Sequence, residues 1–184
     1  SMVGLAIVVI SLIFAIFAPY VAPFPEHAGA YVDLANAGVA PNATFWFGTD
    51  VTGRDILSRV IFGFRGALKM AVVVLAISVP VGTFLGLLAG YYHHTWVDTV
   101  IMRIMDMMLA IPSILLAIAI MAALGQGIEK AVVAIGLVAI PEYARIVRSE
   151  ILAIKENDYV AAARVIGDSN FAIVFRHVLP NALP

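Results

Sequence analysis

The sequence predicts an all-α fold, a polytopic bundle of membrane-spanning helices. Three observations carry this. Of the 184 residues, 62% are hydrophobic and only 12% charged, whereas a soluble domain has about 45–50% apolar and 25% charged residues. The mean hydropathy is +1.01. Residues 1–25, 70–97 and 107–128 hold no Asp, Glu, Lys or Arg, and each run exceeds the ~20 helical residues needed to cross a ~30 Å hydrocarbon core. A disordered chain is excluded by the apolar content. An ordinary soluble enzyme is disfavoured, because a water-exposed surface of this size needs more charge. The absence of cysteine removes disulfide scaffolds and thiolate chemistry. A net charge of −1 offers no basic footprint for nucleic acid.

The first span is expected at about residues 2–18, ended by Pro19 and Pro23. It lacks the basic leader of a signal peptide and is too long for one. It begins almost at the first residue, where natural proteins usually carry a polar tail, so a truncated start is expected. A Pro/Gly/Ala-rich connection covers residues 20–65. Within it, Gly48-Thr49-Asp50-Val51-Thr52-Gly53-Arg54-Asp55 has the glycine frame of a phosphate-binding loop but lacks the Lys-Ser/Thr that such a loop needs. A turn with Asp50 or Thr52 capping the next helix is expected instead. That helix, residues 55–69, carries Ile56, Val60, Phe64 and Leu68 at helical spacing and is expected along the membrane surface. The second span follows at about 67–91, with Tyr91, Tyr92 and Trp96 suited to the aromatic belt. The third is expected at about 100–124, closed by Gly125-Gln126-Gly127. A fourth, about 128–147, must place Glu142 and Arg145 near an interface or against protein; a re-entrant or interfacial helix is the alternative. Lys and Arg divide five to six between the two sides, which barely favours a cytoplasmic N-terminus.

Few side chains within these spans suggest chemistry. Gly82, Gly86 and Gly90 recur every fourth residue and make a smooth face for helix packing. Pro80, Pro112 and Pro141 can bend their helices. Arg103 and Asp106 lie three apart on one face, an expected intramembrane charge pair that is either functional or structural. A lone Asp106 cannot form a two-carboxylate protease centre. No catalytic triad, catalytic residue or metal-ligand spacing is found.

Residues 142–184 change character, with five basic and five acidic residues among apolar ones at helical spacing. One short helix is expected at 159–166 and another at 171–179. Between them Gly167-Asp168-Ser169-Asn170 supplies a glycine C-cap and three N-cap candidates. The result is a helix–turn–helix elbow outside the bilayer. Its apolar Tyr159, Val160, Phe171 and Phe175 need a cover, either a partner's groove or the membrane surface.

Tyr159-Val160-Ala161-Ala162-Ala163-Arg164-Val165-Ile166-Gly167, followed after ten residues by Val178-Leu179-Pro180-Asn181, resembles the EAA loop of ABC importer permeases. Ala161 stands where that family usually has Glu; Ala162, Ala163 and Gly167 match, and Leu179-Pro180 closes the motif. Phe47-Gly48-Thr49-Asp50 with Gly53-Arg54-Asp55-Ile56-Leu57-Ser58-Arg59, Ala110-Ile111-Pro112-Ser113, and Arg145-x2-Arg148-x6-Lys155 are similar to the C-type permeases of dipeptide, oligopeptide and nickel importers.

The resemblance implies a type I importer permease with a cytoplasmic coupling elbow. Its divisions would be a first span at 1–21, an extracytoplasmic loop and surface helix at 22–65, spans two to four at 66–148, and the EAA loop at 149–184. Six spans are implied, so the chain is expected to be a fragment lacking the last two. Expected partners are a second homologous permease, two ATPase subunits, an extracytoplasmic substrate-binding protein and the lipid bilayer of the prokaryotic inner membrane. No cofactor is expected on this chain; ATP and Mg would belong to the ATPases, and the chain itself would not be an enzyme. Tyr159, Ala161, Ala162, Ala163, Gly167, Phe171, Leu179 and Pro180 would contact the ATPases. The implied cargo is a di- or oligopeptide. A nickel chelate is the alternative cargo, and a non-transporting membrane anchor or assembly subunit the alternative role.

Overall fold

A computed structural model describes residues 2–155. Its described residues form five α-helices: α1 (Met2–Val21), α2 (Ile56–Tyr91), α3 (Trp96–Ala110), α4 (Ser113–Leu124) and α5 (Ile128–Lys155). Two short 3-10 turns, Pro25–Ala28 and Leu34–Asn36, lie between α1 and α2. No β-strand occurs among the described residues, only the isolated bridge Thr49–Asp55. The chain divides into two compact units between Val72 and Val73, and α2 contributes to both.

In the first unit α1 and the start of α2 pack through small and aromatic residues. Ala18 and Ala22 are buried with Ile61, and Phe14, Leu57 and Phe62 pack around them. The Phe14 and Phe64 rings approach to 5.7 Å. A helix was expected at 55–69, leading into the second span. That stretch is the first part of one 36-residue helix, and its Leu57, Ile61 and Phe64 face α1. No proline interrupts α2 before Pro80, so the apolar periodicity stays in phase and the helix runs ~54 Å at 1.5 Å per residue.

The connection between α1 and α2 folds as a hydrogen-bonded knot. Asp55 is buried and caps α2, accepting the Ser58 N–H at 2.8 Å. Its own N–H donates to His27 Nδ1 at 2.9 Å. His27 stacks on Tyr31 at 4.1 Å and on Phe24 at 5.0 Å. The cap is therefore Asp55, and not Asp50 or Thr52. Asp50 serves the preceding turn: its Oδ1 accepts the Thr52 and Arg54 N–H groups and the Thr52 hydroxyl. Its Oδ2 meets Arg54 Nε at 2.9 Å and also Arg59. The turn needs glycine at Gly53, where φ is +80° and a Cβ would sit 2.7 Å from the Asp33 carbonyl carbon.

In the second unit α3 and α5 enclose a cluster of Met105, Ile140 and Ala144, with Leu85, Ile101 and Met102 against it. The segment expected as one span over 100–124 is two helices bent by 100°. Pro112 explains the break. It has no N–H to extend α3, and it drives the preceding Ile111 into extended backbone, φ −94° and ψ 132°. Its carbonyl then starts α4 by accepting the Leu115 and Leu116 N–H groups. Gly125 ends α4 at φ +93°.

By length and composition α1 and α2 can each cross a membrane, and the bent α3–α4 pair can make a third crossing. α5 has the length, 28 residues. Each of its 18-residue stretches, however, holds at least three charges among Glu129, Lys130, Glu142, Arg145, Arg148, Glu150 and Lys155.

Candidate functional site

The C-terminal half of α5 is tied to α2 and α3 by polar contacts that local sequence patterns do not reveal. Arg148 Nε donates to Asp98 Oδ1 at 2.7 Å, and Nη2 donates to Oδ2 at 2.9 Å. This bidentate fork is the strong geometry for a guanidinium–carboxylate pair. His93 Nδ1 lies 2.7 Å from Asp98 Oδ2. The Asp98 side chain is only 9% exposed, so it relies on these partners rather than on water. About two turns later, Lys155 Nζ donates to the Tyr91 carbonyl at 2.7 Å and lies 5.3 Å from the Tyr91 ring centroid. It thus satisfies an orphan carbonyl at the end of α2 and complements the negative end of the helix dipole. Together these contacts clamp α5 to the turn that joins α2 and α3.

The glycine ladder lies along the same helix pair. A Cβ at Gly82 would meet Tyr143 Cβ at 2.5 Å, and one at Gly90 would meet Ile151 Cβ at 2.7 Å. At Gly86 it would lie 2.9 Å from Val147 Cβ and closer still to the Ala144 carbonyl. The three glycines therefore let α2 and α5 approach nearly backbone to backbone. Gly136 returns the contact from α5, with Ile77 Cβ 3.1 Å from its Cβ position.

Arg103 and Asp106 do not pair with one another. Asp106 Oδ1 instead meets Arg145 Nη2 of α5 at 3.5 Å, with both side chains more than half exposed. Three residues apart on one helix, Arg103 and Asp106 share a face only approximately, whereas α5 crosses beside Asp106. Arg103 forms no ion pair among the described residues. Likewise no three of His, Asp and Glu converge as a metal-ligand group among them. Tyr159, Ala161, Ala162, Ala163, Gly167, Phe171, Leu179 and Pro180 lie outside the described residues.

The sequence shows Arg148 and Lys155 only as part of the charge split between the two sides and of the family resemblance, and no motif in it singles out Asp98. The available signal was positional. Asp98 ends the uncharged run 70–97, and Arg148 follows the apolar part of α5. Opposite charges at the margins of neighbouring spans are natural partners.

Comparison with known proteins agrees with this architecture. Residues 82–184 match the family described as binding-protein-dependent transport system inner membrane component. Residues 1–41 match the N-terminal TM domain of oligopeptide transport permease C. The chain is 42% identical over 183 residues to the dipeptide transport system permease protein DppC of Alkalihalophilus pseudofirmus, covering 100% of this chain and 59% of that protein. It is 40% identical over 176 residues to the glutathione transport system permease protein GsiD of Pectobacterium atrosepticum, covering 96% of this chain and 58% of that one. The GsiD protein of Escherichia coli O157:H7 is 42% identical over 183 residues, with 100% and 59% covered. The chain thus spans somewhat over half the length of these relatives. With its apolar helices, its glycine-packed helix pair and a similarity to these permeases that runs along the whole of this chain, the chain belongs to the inner-membrane permease family of binding-protein-dependent ABC importers.

Proposed function

We propose that this chain is part of a permease subunit that moves di- or oligopeptides across the inner membrane, with ATP hydrolysed by partner subunits. The observation that carries the reading is the clamp on α5. Arg148 and Lys155 fasten the end of this helix to α2 and α3, directly before the segment that carries the EAA motif. A force applied to residues 158–179 would reach the spans through a helix held at two points. A hinge there would dissipate it. In this scheme two ATPase subunits grip the elbow, a second permease completes the pathway, and an external binding protein delivers cargo. ATP and Mg are assigned to the ATPase subunits in this scheme. The names of the relatives, dipeptide and glutathione permeases, favour peptide cargo over a nickel chelate.

The test is uptake by the complete transporter in vesicles. Gly167→Pro and Ala162→Arg, both within the EAA-like stretch of the sequence, should each leave insertion and ATP hydrolysis in place while abolishing peptide uptake. Unimpaired uptake in both variants refutes the coupling role. An anchor without a pathway would give no ATP-dependent flux in the unaltered transporter.

A further inference from the structure

The clamp between α3 and α5 has a third member in the turn that joins α2 to α3. His93 Nδ1 lies 2.7 Å from Asp98 Oδ2 and 3.2 Å from Arg148 Nη2. One nitrogen thus faces an acceptor and a donor at once, and the distances decide which it serves. A bare Nδ1 would aim its lone pair at a carboxylate oxygen 2.7 Å away, two acceptors with no hydrogen between them. A protonated Nδ1 makes a short, charge-assisted bond there. Arg148 Nη2 loses nothing by this, since it donates to the same Oδ2 at 2.9 Å. Nδ1 therefore carries the proton, and its bond to Asp98 fixes the tautomer of the ring. Oδ2 accepts from both His93 and Arg148, while Oδ1 accepts from Arg148 Nε at 2.7 Å.

The backbone around His93 is unusual in a way that serves this contact. His94 has a φ of +66° and is the only non-glycine residue in the left-handed region among the described residues. Such a conformation persists only where the surroundings impose it, and it clusters where function needs it. The Thr95 N–H and hydroxyl both close on the Tyr92 carbonyl, at 3.1 and 2.6 Å, so the turn is tied across the two histidines. The His94 ring backs that of His93 at 3.8 Å between centroids.

We propose that His93 is a positioning residue for coupling: as an Nδ1 donor it orients the Asp98 carboxylate, so that the Arg148 fork holds α5 in the geometry that passes force to the spans. This rests on the transport reading above and adds the residue on which the stiffness of that joint depends. Two considerations select a donor over a mere space-filler. Asp98 and Arg148 are single side chains from two helices, and the pair can swing as a unit; a donor rooted in a third backbone segment stops the swing. The Asp98 side chain is 9% exposed and that of His93 29%, so water is poorly placed to supply the missing bond at Oδ2 once the imidazole is gone.

The experiment uses the complete transporter in vesicles of phosphatidylcholine and phosphatidylglycerol, with alanyl-alanine as the probe, and reads peptide taken up per ATP hydrolysed. The side-chain amide nitrogen of asparagine stands where the imidazole Nδ1 does, and that of glutamine stands where Nε2 does. His93→Ala should lower the ratio at least threefold. His93→Asn should restore it to within about twofold of the unaltered transporter, and His93→Gln should not. A space-filler would rank the other way, because glutamine matches the imidazole better in length. Solid-state NMR of the transporter carrying isotope-labelled histidine gives a second readout that needs no altered joint. The His93 signals, assigned by their loss in His93→Asn, should show a protonated Nδ1. A bare Nδ1 overturns the proposal, and so does an unchanged ratio in His93→Ala, or rescue by glutamine equal to that by asparagine, in a transporter that takes up peptide. If the unaltered transporter takes up no peptide, the transport reading fails and the coupling role with it, while the NMR signals still decide the hydrogen bond.

Discussion

Replacing Arg148 with glutamine removes the fork that holds Asp98. The cost can be worked from the geometry. Two charge-assisted hydrogen bonds, at 2.7 and 2.9 Å, disappear, and a carboxylate that is only 9% exposed keeps His93 alone. Stranding one member of a fully buried ion pair costs ~3–5 kcal/mol. Arg148 itself is 25% exposed, so water enters and about 2–3 kcal/mol is expected. Asp98→Asn leaves the more accessible guanidinium behind and should cost less, ~1–2 kcal/mol. Because the two residues act on each other, the double variant should fall short of the sum by ~1.5 kcal/mol or more. The assay is equilibrium unfolding of the full-length permease in mixed micelles, run as a double-mutant cycle. Effects that add to within ~0.5 kcal/mol would refute the clamp, because additivity is the signature of independent sites.

Other outcomes follow from the same structure. Gly86→Leu forces a branched side chain into the Ala144 backbone and Val147; it should destabilise the permease by at least the ~1–3 kcal/mol typical of overpacking, with Gly63→Leu, where a Cβ meets nothing within 4 Å, as the mild control in the same melts. Gly53→Ala places a methyl against Asp33 at a positive φ and should open the loop between α1 and α2, read as faster proteolysis there. The Thr52 hydroxyl, then the backbone N–H groups of Arg54 and Thr52, hold the Asp50 carboxyl far below its usual range. The folded loop therefore binds fewer protons than the unfolded one below about pH 4. Its stability should be flat above that value and decline as pH drops further, a decline absent in Asp50→Asn when protection of the loop from pepsin is followed against pH.

The helical class was legible because uncharged runs longer than a bilayer leave few alternatives. The glycine ladder was equally legible, since its spacing defines a face whatever helix comes to meet it. The break at Ile111-Pro112 was harder. Proline within an apolar run can kink or end a helix, and the choice depends on whether the residue before it turns extended. Asp98 and Arg148 lie fifty residues apart in sequence, so no periodicity links them. The helix at 55–69 was legible from Ile56, Val60, Phe64 and Leu68 at helical spacing, but its packing of Leu57, Ile61 and Phe64 on α1 was not, because that depends on residues some forty positions away. The knot around His27 and Asp55 depends on contacts from positions 24 to 58, beyond the reach of turn signals.

The sharp corner between α3 and α4 has a further consequence for the surroundings of the protein. A helix that stops leaves its last four carbonyls without intrahelical N–H donors, and one that starts leaves its first amides without intrahelical acceptors. Here both ends meet at Pro112, in a stretch uncharged from 107 to 128. Acyl chains offer such groups nothing. The corner must therefore be turned away from lipid, toward hydrated space or another polypeptide, and this orients the whole α3–α4 segment about its own axis within the membrane.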